Sequence, residues 1–280
     1  MQVSIEMLRF DDPLVLVGAG KMGGALLTGW LDQGLEPAGV FLRDPTPPAE
    51  IAQLVAEKGL RLNLPLEEME AAPRIVVLAV KPQIMDAVLP DLRSLVRPGT
   101  LFLSIAAGVD LERLDELLGG GAAIIRAMPN TPSSVGKGIT AVIGNGLVTD
   151  ADKAICDSLL GTVGDVVWLA AENQMDAVTA LSGSGPAYVF ALAETMTAAG
   201  EALGLEPELA AQLARMTVAG AGVMLETLPE DASTLRQNVT SPGGTTAAAL
   251  DVLLGPEGLA QLMRSGMTAA RDRSRELSKQ

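Results

Sequence analysis

Short, fully apolar runs alternate along this chain with stretches in which apolar residues return every three or four positions. Residues 14–17, Leu-Val-Leu-Val, are apolar throughout, which suits a strand buried on both faces. After Gly18, the residues Ala25, Leu26, Leu27 and Trp30 recur at helical spacing up to Gly34, so a tight turn and a helix follow. The same reasoning predicts a second strand at 40–42, a helix over 49–58 closed by Gly59, and a third apolar strand at 75–80. The series continues with a helix after Pro82, a strand at 101–105, a helix over 111–118 and a strand at 123–126, with outer strands at 140–143 and 165–169. Strands and helices in alternation bury their apolar surfaces as a doubly wound α/β sheet with helices on both faces. Beyond Glu172, Ala-rich stretches at 173–181, 187–203, 207–225 and 256–277 with few β-branched runs predict helices alone. Those helices are apolar around much of their circumference and carry small faces such as Ala219 to Gly222, so association with at least a second copy of the chain is expected.

The first turn carries the sharpest local signal. Gly18-Ala19-Gly20-Lys21-Met22-Gly23 fits G-x-G-x-x-G and sits between an apolar strand and a periodic helix. Gly18 permits the turn, Gly20 clears the approach of a pyrophosphate, Gly23 brings the helix close to the strand, and the helix N-terminus faces the phosphates. The expected organisation is a Rossmann-type dinucleotide-binding domain over residues 1–170 followed by an all-α domain over 171–280. About 20 residues past the last glycine, at the ribose end of the second strand, stand Arg43 and Asp44. Asp44 suits the 2′-hydroxyl of NAD and Arg43 suits the 2′-phosphate of NADP, which leaves both cofactors open with a lean to NADPH. The strand ends at Ala79-Val80-Lys81-Pro82 and Ile105-Ala106-Ala107 lie at carboxyl ends of the sheet, where open α/β sheets bind ligands.

Composition narrows the partners. A formal charge of −14 opposes nucleic acid and anionic membrane surfaces, and no apolar stretch is long enough for a transmembrane helix. The first residues, with Glu6, Arg9, Asp11 and Asp12, lack the pattern of a signal peptide, so a cytoplasmic location is expected. The single cysteine, Cys156, excludes an intrachain disulfide, and with no histidine the chain has no His-based metal site, triad or general base. Lysine occurs only at 21, 58, 81, 137, 153 and 279, so the helical half as far as Leu277 lacks one too. A ketone reductase needs an acid for its developing alkoxide, whereas an imine already protonated at nitrogen needs only positioning and electrostatics.

Gly, Pro, Ser and Thr also crowd three later segments, Met128 to Pro132, Leu181 to Tyr188 and Thr240 to Thr246. With Arg126-Ala127-Met128-Pro129-Asn130-Thr131-Pro132, Ser182-Gly183-Ser184-Gly185-Pro186-Ala187-Tyr188 and Ser241-Pro242-Gly243-Gly244-Thr245-Thr246 in this order, the chain resembles the pyrroline-5-carboxylate reductase family over nearly its whole length. The resemblance implies hydride transfer from NADPH or NADH to the imine carbon of 1-pyrroline-5-carboxylate, the carbon that becomes C5 of L-proline, in the last step of proline biosynthesis. It implies a cofactor site lined by residues 18–22, 79–82 and 105–107, with Asn130 near the nicotinamide. Glu172 and Asn238 match positions at the cofactor and substrate site, and Ser241, Gly243, Gly244, Thr245 and Thr246 match the loop that holds the substrate, Thr246 contacting its nitrogen. It further implies that the helical domains of two subunits build the site together.

Overall fold

The structure, a computed structural model, describes residues 12–69 and 71–278. The reading of residues 1–11 lies outside them. Contacts divide the chain into two compact units, Met1–Gly183 with Asp272–Gln280, and Ser184–Arg271.

The strands of the first unit are β1 (Leu14–Val17), β2 (Val40–Arg43), β3 (Arg61–Leu62), β4 (Ile75–Leu78), β5 (Leu101–Ser104), β6 (Ala123–Met128), β7 (Gly138–Gly144) and β8 (Gly164–Trp168). They form one sheet in the order β3-β2-β1-β4-β5-β6-β7-β8. Neighbours pair in parallel except β6 with β7, so β7 and β8 run against the rest. Only the short stretch with a 3-10 turn at Thr131–Val135 joins β6 to β7, too little chain for a parallel crossover. The order reverses between β1 and β4, and Val17 lies opposite both Arg43 and Leu78 at the carboxyl ends.

Helices α1 (Lys21–Asp32), α2 (Ala49–Lys58), α3 (Met85–Val88), α4 (Leu111–Leu118), α5 (Asp150–Gly161) and α6 (Met175–Val178) complete this unit. They explain why the central strands are apolar on both faces. Leu14, Leu16, Val77 and Leu103 share one core with Trp30 of α1, Ile51 of α2 and Leu159 of α5. Val15, Val17, Leu78, Phe102 and Ile124 share the other with Leu114, Leu117 and Leu118 of α4. The expected helix after Pro82 is broken into a 3-10 turn, α3 and a second 3-10 segment at Leu89–Leu95, in which Pro90 lacks the N–H a regular helix needs.

Helix α5 lies outside the helices expected from the sequence, and its start is strongly capped. The Thr149 hydroxyl accepts from the Asp152 N–H while the Asp152 carboxylate accepts from the Thr149 N–H, a reciprocal capping box. Burial alone would push the Asp152 carboxyl up, but the Thr149 hydroxyl and N–H, with Arg74 at 2.7 Å, hold it below the usual carboxylate range. At Cys156 of the same helix burial pushes the thiol well above its ordinary value, so the residue acts as a small apolar core group.

The second unit holds α7 (Gly185–Ala202), α8 (Pro207–Thr227), α9 (Ala232–Asn238), α10 (Thr245–Leu253) and most of α11 (Leu259–Leu277). Gly200 and Ala210 let α7 and α8 approach closely, a Cβ at 200 standing 3.2 Å from that of Ala210. Within this unit Ala210 and Ala214 are buried, while Phe190, Met216, Val252 and Leu262 are largely exposed. The sequence places the junction at 170/171, where strands give way to helices; the contacts divide at Gly183, because Met175 and Ala180 are buried and Glu172 is paired within the first unit. Among the described residues no helix is long and apolar enough to cross a membrane, and no cluster of three or more potential metal ligands occurs.

Trp30 is fully buried and its indole N–H donates to the Leu159 carbonyl at 2.9 Å, tying α1 to α5. Trp30→Phe removes that bond and part of the packing, and is expected to cost about 2 kcal/mol, read as a lower urea midpoint.

Candidate active site

Gly18 leaves β1 with φ +91°, and a Cβ there would stand 2.8 Å from the Ala79 carbonyl oxygen. A Cβ at Gly23 would run into the Gly18 carbonyl. These two glycines are required by the chain's own backbone. Gly20 differs: a Cβ there would meet nothing within 4 Å. It caps α1, which has no side-chain cap and no acidic residue in its first turn. The N–H groups of Lys21, Met22 and Gly23 have no acceptor among the described residues. A helix start with free donors, a positive dipole end and a cleared approach fits a pyrophosphate.

Two further strand ends border this turn. At β2 the Arg43 carbonyl accepts from the Gly18 N–H at 2.8 Å. The Asp44 carboxylate accepts from the Ala19 N–H at 2.8 Å and from the Thr46 N–H at 2.9 Å, while Asn63 holds the Asp44 backbone on both sides. Asp44 is thus built into the turn. The Arg43 guanidinium makes no hydrogen bond or ion pair among the described residues. Beyond β4, Ala79 and Val80 are half-buried, Lys81 is exposed, and Pro82 opens the next turn.

Ile105 follows β5, its N–H donating to the Leu78 carbonyl; Ala106 is buried and Ala107 exposed. Asn130 is buried to 9% exposure and accepts from the Ile139 N–H through Oδ1, which fixes the turn after β6. Glu172 belongs to the same unit. Its Oε1 accepts from the Arg126 guanidinium at 2.8 Å and from the Leu111 N–H at 2.9 Å. In the sequence Arg126 stands out only within its motif; its burial is what demands a counter-charge.

In the second unit, Asn238 ends α9 and is exposed, and the loop after it leads to α10. Gly243 has φ +70°, the Ser241 carbonyl accepts from the Gly244 N–H, and Gly244 caps α10 without a side-chain bond. Thr245 and Thr246 form the first turn, and the N–H groups of 245–247 find no acceptor among the described residues. Two hydroxyls beside free helix-terminal donors suit a small carboxylate.

Residues 172–277 match the family described as pyrroline-5-carboxylate reductase dimerisation, and residues 13–108 match that described as NADP oxidoreductase, coenzyme F420-dependent. A pyrroline-5-carboxylate reductase from Pseudomonas aeruginosa is 39% identical over 267 residues, covering 95% of this chain and 97% of that protein. The chain belongs to the pyrroline-5-carboxylate reductase family. A second relative of that name, from Pisum sativum, is 35% identical over 98% of this chain and 99% of its own. The solved pyrroline-5-carboxylate reductase of Coxiella burnetii superposes with a TM-score of 0.89 at 34% identity, covering 97% of this chain and all of that one. The Plasmodium falciparum structure, which has NADP bound, gives 0.80 at 29% identity over 96% and 98%.

The two kinds of glycine separate experimentally. Gly18→Ala is expected to destabilise the fold by several kcal/mol through strain and collision. Gly20→Ala is expected to leave the melting temperature nearly unchanged while weakening NADP binding roughly tenfold or more, by calorimetric titration.

Proposed function

We propose that this chain reduces 1-pyrroline-5-carboxylate to L-proline with NADPH as the preferred donor. What supports the reading above all is that the likeness to reductases of this name covers both units, at 39% identity over 95% of the chain. The bound cofactor supplies the hydride. The chain supplies its seat: the N–H groups at the start of α1 hold pyrophosphate, Gly20 admits it, and Ala79 to Pro82, Ile105, Ala106, Ala107 and Asn130 line the path to the nicotinamide. Lys21 and Lys81 add positive charge near the phosphates. Asp44 is spent on Ala19 and Thr46, which leaves the Arg43 guanidinium to take a 2′-phosphate.

On the substrate side, the α10 N-terminus with Ser241, Gly243, Gly244 and Thr245 takes the carboxylate, Asn238 borders it, and Thr246 bonds the ring nitrogen. The imine enters protonated, so the hydride adds to the C=N carbon, which becomes C5 of proline, the C=N π pair passes to nitrogen, and the product is a neutral secondary amine. No protein acid is required, in keeping with a chain without histidine and a helical half without lysine. The exposed apolar side chains Phe190, Met216, Val252 and Leu262 are covered by a second copy, and a cytoplasmic location suits a reaction drawing on reduced dinucleotide.

The purified protein should oxidise NADPH when the cyclic imine is added; no oxidation with either cofactor would overturn the reading. Thr246→Ala should lower turnover roughly 10- to 100-fold through loss of a bond to a charged nitrogen. Arg43→Ala should reduce the preference for NADPH over NADH roughly tenfold or more, judged from initial rates with each.

A further inference from the structure

Glu172 links two parts of the first unit. Its side chain is 30% exposed, and a single oxygen, Oε1, receives both the guanidinium of Arg126, whose side chain is 7% exposed, and the Leu111 N–H. Leu111 opens α4, and its N–H is one of the donors a helix leaves unpaired. Three residues before it, Gly108 (φ +80°) ends the turn that begins at Ile105. Arg126 lies on β6 opposite Ser104 of β5, two residues before Met128 and four before Asn130. One carboxylate oxygen therefore joins the strand that leads into the 128–130 turn to the helix that follows the 105–108 turn.

A second carboxylate, four residues on, holds the other side. Asp176 accepts from the Ser274 hydroxyl at 2.7 Å and lies 3.5 Å from Arg275, both near the end of α11. That end packs behind the same turn: Leu277 Cβ is 3.9 Å from where a Cβ on Gly108 would stand. All of these residues belong to the first unit.

Resting on the reading of the site given above, we infer that Glu172 is a positioning residue for hydride transfer: through Arg126 and Leu111 it fixes the 105–108 and 128–130 turns against each other and so sets the nicotinamide, without touching the imine. The alternative, a direct substrate ligand, leaves the buried Arg126 without its counter-charge whenever Glu172 turns to the substrate.

Glu172→Ala, Glu172→Gln and Arg126→Lys are compared with wild type in three readouts: NADP binding by calorimetry, KM for the imine, and the kinetic isotope effect with 4-deuterated NADPH. For Glu172→Ala the expected result is NADP binding weaker by roughly tenfold or more, slower turnover with a larger isotope effect, and an imine KM within about threefold of wild type. Glu172→Gln should recover most of the cofactor affinity, since its amide oxygen still accepts from Leu111. A raised imine KM with cofactor affinity and isotope effect intact would overturn the inference, as would a lowered melting temperature with all three readouts unchanged. If Glu172→Ala does not fold, Arg126→Lys decides by the same criteria. A wild-type protein that binds NADP but never reduces the imine would overturn the reaction assignment instead, leaving the binding comparison readable.

Discussion

Between β1 and β4 the backbone has no room for a side chain. The carbonyl of Ala79 lies where a Cβ on Gly18 would have to go, and the carbonyl of Gly18 lies where one on Gly23 would. Gly18 turns there at φ +91°, a conformation only glycine adopts freely, and α1 starts beside the point where the strand order reverses. Everything at this end of the sheet is set by it: unpaired donors at the head of α1, a clear approach at Gly20, and Asp44 drawn in to satisfy the Ala19 N–H. An apolar core on each face of the sheet keeps the strands from shifting relative to one another, so the turn is held by rigid elements.

The chemistry follows from what the chain lacks as much as from what it has. Reducing a carbonyl would call for a proton donor at the substrate oxygen; a protonated imine brings its own proton. The helix start at Thr245 and Thr246 offers neutral donors suited to a carboxylate, and the exposed apolar helices of the second unit match a family whose domain is described by its dimerisation. A charge of −14 keeps a phosphate-rich partner away except where local donors converge, as they do at α1 and at Arg43.

Much of this was legible in the sequence. The Leu14–Val17 strand, the α2 helix closed by Gly59 in a left-handed conformation, and α4 over Leu111–Leu118 all lie where apolar spacing and the closing glycine put them. Other parts depend on tertiary context. The two residues of β3, Arg61 and Leu62, are half-buried and too few to show a period. By contrast, helix α5 was readable, with Ile155, Cys156, Leu159 and Leu160 at helical spacing behind its Thr149 and Asp152 cap. The reversed direction of β7 rests on the shortness of the link before it, and the pairing of Glu172 with Arg126 spans residues far apart in the chain, beyond the reach of any local pattern. Likeness to the family supplied positions 238–246 as a site; spacing supplied only a loop rich in donors.

The central claim is that hydride reaches an already protonated imine with no protein acid in the step. Isotope effects on kcat/KM test it most directly, measured with 4-deuterated NADPH in water and with ordinary NADPH in deuterium oxide on the pH plateau. The account predicts a clear primary effect in the first case and a value near unity in the second. A substantial solvent effect that persists when the hydride is deuterated would place a proton transfer in the same step and contradict it.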